Sequence, residues 1–185
     1  TFAPAAISNG SVSFPYVMTD GKVTETANET ITVTAVNDAP VANDDAYTVA
    51  EDGSVTLTPL ANDTDLDGDT LSVVSINGTT LTPNVPQTIT VPNGSVSIDA
   101  AGVITFAPTA IFNGSVSVPY VMTDGTVTET ANETITVTAV NDATVANDDA
   151  YTFAEDGSVT LTTLANVTDL DGAALSVVSI NGTTL

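Results

Sequence analysis

In residues 115–122, "SVSVPYVM", Val116, Val118, Tyr120 and Met122 fall on one side, and Ser115, Ser117 and Pro119 on the other. Residues 133–140, "ETITVTAV", set Ile135, Val137 and Ala139 against Thr134, Thr136 and Thr138 in the same way. Side chains of an extended backbone point alternately to opposite faces, so a period of two predicts half-buried antiparallel strands. Turn signals punctuate the pattern at "EDGS" (51–54), "LDGD" (66–69), "INGT" (76–79), "VPNG" (91–94), "DAAG" (99–102), "FNGS" (112–115) and "TDGT" (123–126). Roughly seven short strands at this spacing predict an all-β fold of antiparallel β-sandwich type. No helical period competes.

The pattern is written nearly twice. "TFAPAAISNGSVSFPYVMTDG" at position 1 returns as "TFAPTAIFNGSVSVPYVMTDG" at position 105, a period of 104 residues with ten differences over 81 overlapping positions. A unit of about 100 residues is the size of a domain, not of a solenoid turn. "TAVNDAPVAN" (34–43) and "TAVNDATVAN" (138–147) interrupt long Thr/Val runs and are read as domain junctions. This frame makes 41–144 one complete β-sandwich repeat, 1–40 the C-terminal part of a preceding repeat and 145–185 the N-terminal part of a following one. In a permuted frame, 1–40 would pair with 41–104 in place of 105–144. The two ends carry apolar strand faces, among them Val12, Phe14, Tyr16, Met18, Leu161 and Val177, whose partners fall outside the chain. Weak self-association through these ends is expected. The chain opens without methionine and reads as a piece of something longer.

Charge changes the picture. Of 185 residues 23 are acidic and only Lys22 is basic, for a formal charge of −22. That balance argues against nucleic acid and anionic membrane as partners, which require basic patches. Neither an apolar run of membrane-spanning length nor a signal peptide is visible. With 42% hydrophobic residues the chain is expected to fold rather than to stay a solvated acidic tail. Cys and His are both absent, which removes thiolate and imidazole metal sites and the Cys–His and Ser-His-Asp nucleophiles. Oxygen-only ligands favour Ca²⁺ or Mg²⁺.

The candidate chemistry sits in "NDTDLDGDTL" (62–71), where Asp63, Asp65, Asp67 and Asp69 occupy alternate positions. An extended backbone would point all four to one side, with Gly68 permitting a tight turn below them. D-x-D-x-D-G matches the first half of a calcium loop. An EF-hand is excluded, because its position 12 would be Val74 and no helix flanks the loop. Asp44 and Asp45, beside the junction, are read either as further ligands or as a solvated loop. Tyr16, Tyr47, Tyr120 and Tyr151 fall in strand patterns that suit a core. No catalytic constellation is visible.

"VAEDGSVTLTPLANDTDLDGDTLSVVSING", "SIDAAGVITF", "YVMTDGTVTETANETITVTAVNDA" and the junction "NDAP" together resemble cadherin-like repeats. They are most similar to the bacterial cadherin-like and Ig-like extender repeats of large RTX adhesins exported by type I secretion. Near-identical units of this length are similar to the extender region of a bacterial ice-binding adhesin. The resemblance implies calcium at domain junctions. It places Asn37, Asp38, Asp65, Asp67 and Asp124 at the first junction, and Glu51, Asn141, Asp142, Asp169 and Asp171 at the second. Ala35 and Ala39 replace two ligands of the family's D-x-N-D-N junction, and the acidic L-D-R-E segment has no counterpart in 108–115.

The expectation is therefore non-enzymatic and extracellular. The chain would be a structural spacer on a bacterial surface, with calcium ions and the neighbouring repeats of the same chain as partners. Two alternatives differ in kind: an adhesion module that binds carbohydrate or itself directly, and an accessory repeat of a secreted enzyme.

Overall fold

The computed structural model describes residues 1–5 and 8–184. β1 (Gly10–Thr19) and β2 (Thr24–Val33) form an antiparallel hairpin that pairs with no other strand among the described residues. Nine strands follow: β3 (Asp45–Ala50), β4 (Val55–Leu57), β5 (Ser72–Ile76), β6 (Thr79–Thr80), β7 (Gln87–Val91), β8 (Gly94–Ile98), β9 (Ile104–Pro108), β10 (Gly114–Thr123) and β11 (Thr128–Thr138). They make two sheets, ordered β3-β11-β10-β5-β6 and β4-β9-β8-β7. A short hairpin, β12 (Ser179–Ile180) and β13 (Thr183–Thr184), ends the described chain. The fold is an all-β sandwich of the Ig-like and cadherin-like kind.

The alternation read from the sequence sets the core. Val116, Val118, Tyr120 and Met122 of β10 are at most 2% exposed, and Ile135 and Val137 of β11 are buried with them. Phe106, Val96 and Ile89 face them from the other sheet, in one continuous cluster. Ala139, expected on the inward face, is exposed, because β11 ends at Thr138. Of the four tyrosines only Tyr120 is fully buried, at 1%, whereas Tyr16 is 43% exposed and Tyr151 37%. The core assignment of those two fails because no second sheet covers them.

Turn chemistry fixes the registers. Asn77 (φ 46) and Gly78 (φ 74) take the two left-handed positions of a tight β5–β6 turn. Gly94 is needed for space, since a Cβ there would lie 2.6 Å from both the Ala107 carbonyl and the Phe106 ring. One pairing departs from the antiparallel expectation. β3 runs parallel to β11, from Glu133 opposite Asp45 to Thr138 opposite Ala50. The first strand of the sandwich thus crosses to lie beside the last, which brings residues 43–51 next to 131–140.

Residues 145–178 repeat the sequence of 41–74 but hold only the bridge Val145–Thr168, the equivalent of Val41–Thr64. β3 draws its ladder from β11, and β4 from β9. Nothing among the described residues takes those places beside the second copy, so its strand pattern remains unpaired.

Candidate metal centre

The aspartate loop is shaped by its own first carboxylate. Asp65 Oδ1 accepts the N–H groups of Asp67 (2.9 Å) and Asp69 (3.0 Å), and Gly68 at φ +79° turns the chain where a Cβ would be strained. Asp65, Asp67 and Asp69 thereby bring one carboxylate oxygen each to within 4.8 Å of one another. Oxygens on opposite sides of a calcium ion, bonded at about 2.4 Å, are about 4.8 Å apart, so the cluster fits that ion. Asp65 Oδ2 is buried and has no hydrogen-bond partner, an orphan acceptor of the kind a cation satisfies.

The second copy keeps the loop. Asp169 Oδ1 accepts the N–H of Ala173 at 2.9 Å, and Gly172 has φ +73°. The turn therefore needs the backbone of this position and not its side chain.

Around residues 37–38 the chain folds onto that loop. The Asp38 N–H donates to Asp67 Oδ2 (2.7 Å), and Asn37 Nδ2 donates to Asp124 Oδ2 (2.9 Å). Asp124 Oδ1 also accepts the N–H groups of Thr126 and Val127. The Asn37 amide first, then those two N–H groups, hold the Asp124 carboxyl below the usual carboxylate range. Asn37, Asp38, Asp65, Asp67, Asp69 and Asp124 thus form one neighbourhood.

Around residues 141–142 the same plan recurs with an added glutamate. The Asp142 N–H donates to Asp171 Oδ2 (2.6 Å), and Asn141 Nδ2 bonds the Asp142 carbonyl (2.9 Å). Glu51 is only 2% exposed; its Oε1 accepts the Val140 N–H at 2.6 Å, while Oε2 has no partner. The carboxyl of Asp142 is raised by desolvation, and then by the negative charges of Asp52, Asp171, Glu51 and Asp169. Four like charges with no base near them are a standing repulsion that a divalent cation would reverse in sign.

Asp63 stands apart. The sequence pattern placed it with the other three, but the extended backbone lasts only for the bridge at Thr64, and the chain bends at 66–67. The other three converge through the Asp65 turn and not through strand alternation. Asp63 is held by the Tyr120 hydroxyl (2.8 Å) and the Asn43 N–H (2.7 Å).

Sequence reasoning passed over Glu133. It is 1% exposed and lies in β11 in phase with the buried Ala131, Ile135 and Val137. The signal was available: the alternation that places Ile135 and Val137 inward also places Glu133 inward. One groove, of about 690 Å³, is lined by Leu57, Pro59, Leu71, Leu81, Ile98 and Ile104 among others, with Asp99 as its one ionisable residue. It lies among residues other than those of the carboxylate clusters.

Residues 37–140 match the family model of the bacterial cadherin-like domain. The chain belongs to that family. Residues 141–185 match the bacterial Ig domain. Domains of these kinds serve as extracellular structural or adhesion-type repeats, and cadherin-like domains often bind calcium. No curated protein matches the sequence. Two solved structures of an endo-fucoidan hydrolase from glycoside hydrolase family 107, one of them a variant, are similar at 22% identity with a TM-score of 0.30. The likeness covers 74% of this chain and 20% of the hydrolase chain. Among the described residues no helix is long and apolar enough to cross a membrane.

Proposed function

We propose that this cadherin-like chain is a calcium-stiffened extender of a secreted bacterial surface adhesin. Its repeats are framed as 1–40, 41–144 and 145–185, and calcium joins one to the next. The observation that carries this reading is the same at both junctions. The connecting segment donates a backbone N–H to the aspartate loop of the following unit, from Asp38 to Asp67 and from Asp142 to Asp171. In this reading an ion held by the aspartate loop draws in the carboxylates of the preceding repeat.

Without metal, these carboxylates repel and leave the junction loose. A bound cation bridges them and fixes the angle between repeats. The ligands are Asn37, Asp38, Asp65, Asp67, Asp69 and Asp124 at one junction, and Glu51, Asn141, Asp142, Asp169 and Asp171 at the other. Binding to the folded state alone contributes about 2.7 kcal/mol at 100-fold excess over Kd. That is appreciable beside the roughly 5–15 kcal/mol that holds a domain together. Calcium scarcity inside a cell would keep the chain loose until export, the route being type I secretion. The catalytic role is nil, and the uncovered apolar ends give weak, concentration-dependent self-association.

Thermal melts in EDTA and in millimolar calcium test the reading. The melting temperature should rise by many degrees with calcium and far less with magnesium, which demands a smaller octahedral shell. Asp65→Ala and Asp67→Ala should each weaken calcium binding in calorimetric titration. Asp99→Ala should not, because Asp99 Oδ1 only caps its own turn through the N–H groups of Ala101 and Val103. Equal melting temperatures with and without calcium would sink the proposal.

A further inference from the structure

The first sheet of the sandwich, β3-β11-β10-β5-β6, lies wholly within residues 45–80 and 114–138. The 104-residue repeat writes those strands a second time, at the two ends of the chain. β1 and β2 are the twins of β10 and β11, and residues 149–154 are the twin of β3. β12 and β13 repeat the β5–β6 hairpin, with Ser179 opposite Thr184 as Ser75 is opposite Thr80. The segment 82–104, which occurs once, supplies β7 and β8, and these belong to the other sheet. Every strand of one sheet is thus present at the ends, in two separate halves.

We infer that the chain associates head to tail, the β1–β2 hairpin of one copy docking between residues 149–154 and 176–184 of a second copy to complete a five-stranded sheet. The inference rests on the repeat frame proposed above and not on the calcium sites.

Each half is already shaped for the other. The β1–β2 ladder keeps the register of β10–β11 through all ten pairs, and both its outer edges are unpaired among the described residues. In the tail, the Tyr151 hydroxyl accepts the Thr162 N–H at 2.9 Å, as Tyr47 does for Thr58. The pairs of the sandwich then set the new ones. Val137 opposite Val49 becomes Val33 opposite Phe153, and Tyr120 opposite Ile76 becomes Tyr16 opposite Ile180. Phe14, Tyr16, Met18, Phe153 and Ile180, each 42–59% exposed in the single chain, come onto one face. Association hides part of that apolar surface and pairs two open strand edges.

Two of the differences between the copies compensate each other in this pairing. In the sandwich the Phe112 ring lies 3.2 Å from where a Cβ of Gly114 would stand, at one end of the row Gly114–Val137–Val49. The head has Ser8 in place of Phe112, and the tail has Phe153 in place of Val49. The composite row Gly10–Val33–Phe153 regains at one end the ring it loses at the other, which conserves volume. Pairing the head with residues 45–50 would instead set Ser8 with Val49 and leave the space of a ring unfilled.

The partner is a second copy and not the chain's own tail. Asn37 bonds Asp124 in the β10–β11 turn, whereas Asp142 follows the other end of β11. The 11 residues of that strand, at about 3.3 Å each, separate the two points, so head and tail leave opposite ends of the sandwich. Such a contact repeats from copy to copy and need not close. Chains of formal charge −22 repel one another, so association should strengthen as salt shortens the screening length to about 8 Å at 0.15 M.

The chain has no cysteine, which permits a register test on the full chain. Thr32 and Thr152, the exposed twins of the register partners Thr136 and Thr48, would stand about 4.8 Å apart across the composite pair, within disulfide reach. Mild oxidation of Thr32→Cys/Thr152→Cys should give a ladder of linked dimers and larger species on a non-reducing gel. Thr26→Cys/Thr152→Cys, off register by six residues, should give far less. Sedimentation should show a mass that rises with concentration, several-fold weaker association in Phe153→Val, and its recovery when Ser8→Phe is added. Equal ladders from the two cysteine pairs, a mass of one chain at every concentration, or no recovery with Ser8→Phe would each overturn the proposal. A linked monomer from Thr32→Cys/Thr48→Cys would overturn it together with the repeat frame, by placing the head beside β3 of its own chain. Equal melting temperatures with and without calcium would sink the calcium reading alone and leave the ladder in place.

Discussion

The hairpins β1–β2 and β10–β11 are one structure in two settings. Their registers are identical through all ten pairs, from Gly10 opposite Val33 and Gly114 opposite Val137 to the turn. Val12, Phe14, Tyr16 and Met18 are 37–50% exposed, while Val116, Val118, Tyr120 and Met122 are at most 2% exposed. Local sequence thus suffices to specify the ladder, but not to bury its face. Burial comes from β7, β8 and β9, most of them within residues 82–104, which occur once in the chain. Without an opposing sheet the best that the first hairpin achieves is a tilted contact between the rings of Phe2 and Phe14, with centroids 5.7 Å apart.

Hydrogen exchange should show the largest difference between the two. Amides of 10–33 should exchange orders of magnitude faster than those of 114–137, because local opening of the first costs little and opening of the second requires unfolding the sandwich. Equal protection, measured by mass spectrometry on the full chain in calcium, would mean that the first hairpin finds a cover.

Next in size is a pair of equivalent truncations. Phe106 is fully buried and Phe2 is 39% exposed. Phe106→Ala should cost about 3–5 kcal/mol through lost burial and the cavity left behind. Phe2→Ala should change stability by about 0.5 kcal/mol or less. Denaturant titration monitored by circular dichroism reads both, and similar losses would break the comparison.

The smallest effect is one of pH. The Glu133 carboxyl is raised from its ordinary value of 4.5 to about 7, by burial first and then by Asp45. A raised carboxyl favours the folded state when protonated. Its contribution is therefore full below about 4.5 and is lost as pH rises through about 7. In EDTA the melting temperature should fall by several degrees between these limits. Glu133→Gln should flatten that slope, and Glu29→Gln, at the exposed twin position, should leave it unchanged. A slope that persists in Glu133→Gln would place the titration elsewhere.

The strand pattern, the turns at 76–79 and 91–94 and the inward row of β10 were all legible, because alternation and turn chemistry are local. The aspartate loop was legible as a motif, and its glycine does sit in the turn expected there, at φ +79°. Its geometry was not: Asp63 leaves the row because its partner Tyr120 is 57 residues away in sequence. Tyr16 and Tyr120 have nearly the same neighbours in sequence, so no local rule could separate the exposed one from the buried one. Glu133 was passed over for the opposite reason. Its phase was plain, but a glutamate on an apolar face gains meaning only when Asp45 is seen opposite it.

By itself, then, the sequence determined the all-β character, the hairpins, the acidic loops and the absence of thiolate and imidazole metal ligands. These depend on backbone sterics, side-chain alternation and the inventory of functional groups. The tertiary structure alone decided which copy of the hairpin is buried and which carboxylates share a neighbourhood. It also set the parallel pairing that aligns Asp45 with Glu133. Those outcomes depend on contacts between residues distant in sequence, as Asn37 to Asp124 and Glu51 to Val140 illustrate. Burial and electrostatic repulsion act through space, and a linear pattern carries no record of what lies across the core.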